Sequence, residues 1–337
     1  MQLIPTPESL GAAGANLFDM LFRGGLADLR RTPARIIDEA PKRTLYRYLE
    51  SDEQKASGLP VLLVPPLAAP TVCFDLRRDC SLAGHLIAEG HPTYLLEYGD
   101  IAFSDRDLGL EYWVQDVIPS AVRKVSEDAG GRPVQLVGWC LGGIMSLLAA
   151  AGDEDLPINA IALVASPFDF AELRMMAPIR AFTEVTNGFL GTAIYRALGG
   201  APAPLVKRGF QLTSIDKYLT KPLALATHLD DRDYLSHIEA VDRFMDNMHA
   251  YPGRTMGQLY HQFFRVNDLA DGHLHLGDHE IDLEDVHVPV LSIAGDADRV
   301  IVATYDKGKG DLVAVDVTDP ANQIPTFVDG IDPTEAP

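Results

Sequence analysis

The chain has 337 residues, 47% hydrophobic and 23% charged, enough length and apolar content for a large globular core. Its formal net charge is −20, from 48 acidic and 28 basic residues. That balance argues against a nucleic-acid partner and against direct attraction to anionic lipid, and an anionic substrate would need a local basic patch against the field.

Cys73, Cys80 and Cys140 are odd in number and form no CxxC pair. Neither a disulfide framework nor a zinc site is indicated, and a reducing cytoplasm fits. Met1 to Pro7 lacks a basic segment leading into an apolar core, so no signal peptide is expected. No uncharged apolar run reaches the roughly 18 residues that span a bilayer.

Residues 8 to 38 are helical in pattern, with Leu17, Met20, Leu21, Leu26 and Leu29 at three- and four-residue spacing and breaks at Gly24-Gly25 and Pro33. Thr44 to Leu49 alternates and reads as an outer strand. Pro60-Val61-Leu62-Leu63-Val64 is a continuous apolar run, the pattern of a strand covered on both faces. It leads into Pro65-Pro66-Leu67-Ala68-Ala69-Pro70, where the prolines lack an N–H and Leu67 or Ala68 is the nearest backbone donor. Ser81 can cap a helix that runs to about Glu89 and stops at Gly90. A strand at 93–98 follows, then a helix at 111–128 with Pro119 as an expected kink.

The most informative stretch is Val134 to Leu148. An apolar run precedes Gly138-Trp139-Cys140-Leu141-Gly142, and a run of helix formers follows. Strand, sharp turn, helix is the context of a nucleophile elbow, in which the middle residue is strained and its side chain is lifted above the sheet. Side chains at Gly138 or Gly142 would collide with the turn or with the strand–helix packing. Cysteine stands where serine is usual. A thiol at a helix N-terminus is expected to have a lowered pKa; the bland alternative is a small buried core residue. In such an elbow the Leu141 N–H and a donor from the loop after the 60–64 strand would form the oxyanion hole.

Residues 158–164 form another buried strand, and alternation of strand and helix argues a doubly wound, mostly parallel sheet. Residues 168 to 285 break the alternation with helices at about 177–198, 214–228, 234–249 and 255–270. A hairpin then turns at Gly277-Asp278. An insertion here reads as a cap over the site. The sheet resumes at Val288 to Gly295 and ends in Asp296-Ala297-Asp298. An acid just past this strand belongs to the elbow constellation; Asp298 is the preferred one, with Asp296 behind it and solvated turn residues as the alternative. A late histidine should follow as general base, yet the last histidine is His287. His261, on a cap helix, is a weak substitute, and His85 and His91 read as structural. His273, His275 and His279 could be metal ligands only if three or four ligands converged, which a short hairpin seldom allows. The end, 304–337, carries seven acids against Lys307 and Lys309 and reads as a weak strand plus a disordered tail. The organisation expected is therefore a helical extension (1–40), a first core part (41–167), a helical cap (168–285), a last core strand with its acid loop (286–303) and an acidic tail (304–337).

Pro60 to Leu67, Phe74-Asp75-Leu76-Arg77, Ser81-Leu82, Glu89 to Gly99 and Gly138-Trp139-Cys140-Leu141-Gly142-Gly143 together resemble the polyhydroxyalkanoate synthases and their actinobacterial-type relatives. Tyr260 to Phe264 and Asn267-Asp268-Leu269 to Gly272 are also similar. The likeness covers about residues 40 to 299. It implies an α/β-hydrolase fold, a cysteine nucleophile at Cys140, an acid at Asp298, 3-hydroxyacyl-coenzyme A substrates, no cofactor, homodimers and association with polymer granules. The family's late histidine matches no position here. Three functions follow, in order. The first is acyl transfer through a Cys140 acyl-enzyme, with the Leu141 and Leu67 amides on the oxyanion. The second is thioester or ester hydrolysis at the same site. The third is a catalytically silent protein that binds acyl chains or a paralogue.

Overall fold

The computed structural model describes residues 6–49, 57–172, 196–212, 215–296, 299–306, 309–315 and 326–327. Ten strands build the main sheet: β1 (Ala34–Ala40), β2 (Arg43–Tyr48), β3 (Val61–Val64), β4 (Thr93–Glu97), β5 (Val134–Trp139), β6 (Ile158–Val164), β7 (Val290–Asp296), β8 (Arg299–Asp306), β9 (Lys309–Val315) and β10 (Thr326–Phe327). Their order is β1-β2-β4-β3-β5-β6-β7-β8-β9-β10. The five central strands, β4 to β7 in that order, are mutually parallel, and antiparallel pairs flank them on both sides. This order, with an elbow after β5, is the α/β-hydrolase fold.

The apolar run of β3 is explained by its place. Val61 and Leu63 enter one cluster with Phe74, Ala83 and Ile87, under helix α2 (Leu82–Ala88). Leu62 and Val64 enter the larger cluster on the other face, with Trp113, Ile118, Ile144 and Met145. Each residue of β3 is buried, as expected of a strand covered on both sides. The Ser81 hydroxyl does two jobs beside this strand. It accepts the Gly84 N–H at 2.9 Å to cap α2 and donates to Asp75 at 2.5 Å. Asp75 also accepts the Thr32 N–H and hydroxyl. Ser81→Ala is expected to cost about 1–2 kcal/mol, read as a lower urea midpoint with an unchanged slope.

Two local expectations are corrected. Residues 26–38 do not continue the helical pattern. Helix α1 (Pro7–Phe22), capped by Thr6, ends before Gly24-Gly25, and β1 begins after Pro33 as an edge strand antiparallel to β2. Proline resets the backbone there, and the β-branched pair Ile36-Ile37 suits a strand. The 111–128 helix does not simply kink at Pro119. A short α-turn (Leu110–Tyr112) widens into a π-helical segment (Trp113–Val117), and α3 (Ile118–Asp128) restarts with Pro119 in its first turn. The wide turn takes up the missing N–H where a straight helix would have lost a bond.

Helix α4 (Leu141–Gly152) follows β5; α5 (Ala203–Leu212), α6 (Ile215–Thr227), α7 (Arg232–Asp246) and α8 (Gly253–Gln258) lie between β6 and β7. α8 runs on as a π-helical segment to Val266, and the hairpin His273–Leu276 with His279–Asp282 follows. The tail also departs from expectation. β7 and β8 pair antiparallel, with Asp296 opposite Arg299, so only two residues connect them. Such a connection permits a hairpin and excludes a parallel crossover. β9 then extends the sheet across 309–315, the part of the tail where a weak strand was expected.

Candidate active site

Cys140 sits between β5 and α4 with φ 52° and ψ −120°, a backbone state that L-residues rarely adopt. The glycines around it make the turn feasible. A Cβ on Gly138 would lie 2.4 Å from the Gly143 Cα, and one on Gly142 would lie 2.2 Å from the Val64 carbonyl oxygen. The turn is held by the Cys140 N–H donating to Val164 at 2.8 Å and by the Cys140 carbonyl accepting from Gly143 and Ile144.

The thiol is half-buried, and the Leu141 N–H donates to it. Burial pushes its pKa up, and the Leu141 amide opposes this only in part. This corrects the expected lowering. Desolvation penalises the thiolate more than one amide and the helix terminus favour it. The Tyr251 hydroxyl lies within electrostatic reach of the sulfur. Burial first, and then Cys140, push that phenol up. Among the described residues, no histidine is bonded to the thiol.

The loop after β3 is pressed against the elbow. The Pro65 backbone flanks the same Gly142 position at 2.7 Å, and the Tyr98 hydroxyl donates to the Pro65 carbonyl at 3.1 Å. Leu67 and Ala68 are both buried. Among the described residues their amides donate to no other oxygen. The Ala68 carbonyl accepts the His249 N–H at 2.8 Å, and the His249 Nδ1 lies 3.6 Å from Asp100. On the far side, Ala165 takes a φ of 50°, its N–H donates to Ile293, and Ser166 lies against Gly143.

The other candidate residues fall elsewhere. Asp298 lies outside the described residues, and Asp296 is described only as the last residue of β7. His261 lines a cavity with Arg196 and Arg254. Burial, followed by Arg265 and Arg196, lowers its pKa. His91 bonds the Leu59 carbonyl at 3.0 Å, and His273 pairs with Asp282 at 3.0 Å. Among the described residues, no three His, Cys, Asp or Glu side chains converge as metal ligands, and no helix is long and apolar enough to cross a membrane. Tyr251 and His249 were not legible beforehand. Tyr251 pairs with Ala201 in a two-residue strand, His249 lies two residues before it, and no motif marks either.

No protein-family model matches the chain. It is 23% identical over 298 residues to the poly(3-hydroxyalkanoate) polymerase subunit PhaC of Haloarcula marismortui, covering 86% of this chain and 62% of that protein. Against the subunit PhaC of Haloferax mediterranei the figures are 26% over 300 residues, 86% and 58%. Against that of Allochromatium vinosum they are 27% over 322 residues, 92% and 87%. Over most of its length the chain is similar to these poly(3-hydroxyalkanoate) polymerase subunits. It spans about three fifths of the length of the first two synthase relatives. Among solved structures, an α/β serine hydrolase from Xanthomonas campestris overlaps at a TM-score of 0.32 and 16% identity, covering 41% of this chain and 62% of its own. An esterase from Rhodococcus overlaps at 0.29 and 16%, covering 40% and 46%. The fold rests on the sheet order, not on these partial overlaps.

Proposed function

We propose that the chain is an acyltransferase of the polyhydroxyalkanoate synthase type, with Cys140 as the acyl-carrying nucleophile. One observation carries this reading: a cysteine at a strained strand–helix turn, with the Leu141 amide directed at its sulfur. The Cys140 thiolate attacks the carbonyl carbon of a 3-hydroxyacyl-coenzyme A thioester. The Leu141 and Leu67 amides hold the oxyanion, and the carbon–sulfur bond to coenzyme A breaks. The coenzyme A thiolate leaves and takes up a proton. A second substrate's hydroxyl then attacks the acyl-enzyme, an ester bond forms, the bond from the acyl carbon to the Cys140 Sγ breaks, and the hydroxyl proton passes to the released sulfur or to water. Thiol–thioester exchange keeps the acyl group activated between the two steps. Asp298 is the acid of this set, and the helices within 168–285 form the cap that limits water. The same reading puts the protein in a reducing cytoplasm, as a homodimer at the surface of a polymer granule.

A second reading, a catalytically silent acyl-binding protein, is favoured by the raised thiol pKa and by the lack of a bonded histidine among the described residues. Incubation with a radiolabelled 3-hydroxyacyl-coenzyme A separates the two. Label on Cys140 that passes into polymer is expected. Release as free acid would make the protein a thioesterase, and no label on Cys140 would leave only the silent reading.

A further inference from the structure

Strand β4 ends at Glu97, and the next residue, Tyr98, is buried. Its hydroxyl donates to the Pro65 carbonyl at 3.1 Å. That carbonyl belongs to the loop after β3, and it is also pressed against the Cys140 turn. A Cβ on Gly142 would lie 2.7 Å from the Pro65 carbon and from its oxygen. One oxygen thus joins the end of β4, the loop and the first turn of α4. Tyr98 is itself held in place. Its ring meets Trp113 edge-on at 5.4 Å, the Trp113 indole N–H donates to the Thr255 hydroxyl, and that hydroxyl donates to the Leu108 carbonyl at 2.8 Å. Burial pushes the phenol well above the ordinary tyrosine range, so it keeps its proton and remains a donor.

The loop needs such outside anchors. Pro65 and Pro66 have no N–H to give. Among the described residues, one main-chain bond closes within 65–70, from the Ala69 N–H to the Pro66 carbonyl at 3.1 Å. The other ties come from elsewhere in the fold. Tyr98 holds the Pro65 carbonyl, the His249 N–H holds the Ala68 carbonyl at 2.8 Å, and the Thr71 hydroxyl donates to Glu97 at 3.3 Å. The donors left over are the amides of Leu67 and Ala68, two buried residues. The Leu67 N–H lies on the peptide plane next to the one that Tyr98 holds. Pro66, between the two planes, has its φ fixed by the ring. The direction of the Leu67 N–H therefore follows the Pro65 carbonyl with a single soft dihedral left, and the Ala69 bond restrains that one.

We propose that Tyr98 is a positioning residue for the oxyanion hole: by holding the Pro65 carbonyl against Gly142, its hydroxyl sets the Leu67 amide beside the Cys140 sulfur before the acyl group arrives. The proposal rests on the reading of Cys140 as an acyl-accepting nucleophile and adds a residue to it. Two variants of the full chain test it. Tyr98→Phe removes the hydroxyl and keeps the ring. Tyr94→Phe is the matched control, since it removes a hydroxyl on the same strand that donates to Asp128 at 2.8 Å and not to the loop. Two small reagents report on the sulfur. A p-nitrophenyl ester forms an S-acyl bond on Cys140, releases p-nitrophenolate and passes through an oxyanion. Iodoacetamide forms a carbon–sulfur bond and releases iodide, with no oxyanion. Tyr98→Phe is expected to slow acylation by the ester about tenfold. Alkylation should stay within about twofold of the parent, and Tyr94→Phe should change neither rate by more than about twofold. A 3-hydroxyacyl-coenzyme A thioester should show the same loss, carried by the maximal labelling rate and not by the half-saturating concentration. Equal slowing of acylation and alkylation would make Tyr98 a packing residue and overturn the proposal. So would a Tyr98→Phe protein that the ester acylates as fast as Tyr94→Phe. If the ester shows the expected loss while the thioester leaves Cys140 unlabelled, the positioning role stands and the coenzyme A reading falls. If neither acylates the parent, both fall.

Discussion

Gly142→Ala is expected to cost about 3 kcal/mol of stability and to slow acylation of Cys140 by about 100-fold or more. The added methyl would meet the Val64 carbonyl oxygen at 2.2 Å and the Pro65 carbon and oxygen at 2.7 Å. All of these are main-chain atoms of β3 and its loop, so no side chain can swing away. Relief requires α4 to move off β3, and that carries the Leu141 amide away from the Leu67 loop. Stability and oxyanion geometry therefore fail together. Gly11→Ala and Gly14→Ala provide the contrast. They lie inside α1 with nothing within 4 Å of the added carbon, and each is expected to stabilise by about 0.5–1 kcal/mol. Urea unfolding of the three variants, with labelling of Cys140 measured alongside, checks both effects. A Gly142→Ala protein as stable and as reactive as its parent would show that the elbow is not packed as described.

What the sequence revealed and what it concealed divide along the range of the forces involved. The elbow was legible because Gly138, Gly142 and Gly143 act within a few residues of Cys140, and apolar runs such as Val61–Val64 announce a strand buried on both faces. β1 was missed because spacing of leucines up to Leu29 suggested a helix, while the decision was taken by Pro33 and by pairing with β2. The π-helical turn at Trp113–Val117 has no local signature. It is fixed by tertiary contacts, including Trp113 to Thr255 and the edge-on packing of Trp113 against Tyr98. The charge state of the thiol was misread for the same reason. A helix terminus is a local feature, whereas the burial that raises the thiol pKa is set by packing of segments apart in the chain.

The rate of Cys140 acylation is expected to rise about tenfold per pH unit through neutrality and to keep rising past the ordinary thiol pKa of about 8.5. The reacting species is the thiolate, and below the pKa its fraction grows tenfold with each unit. Because burial raises the folded-state pKa, the plateau lies above that of a free cysteine. Stability must move the other way. Above the ordinary thiol pKa the unfolded chain releases this proton while the folded chain keeps it, so the unfolded state binds fewer protons and stability falls as pH rises. Below that value both states hold the proton and the contribution is fully present. Single-turnover labelling between pH 6 and 10, paired with urea unfolding of the parent and of Cys140→Ala, measures both limbs. In the alanine variant the alkaline loss of stability from this group should vanish. A labelling profile that is already flat at pH 7 would mean that a base or a cation holds the sulfur ionised, and the lone, desolvated thiol described here would have to be abandoned in favour of a paired one.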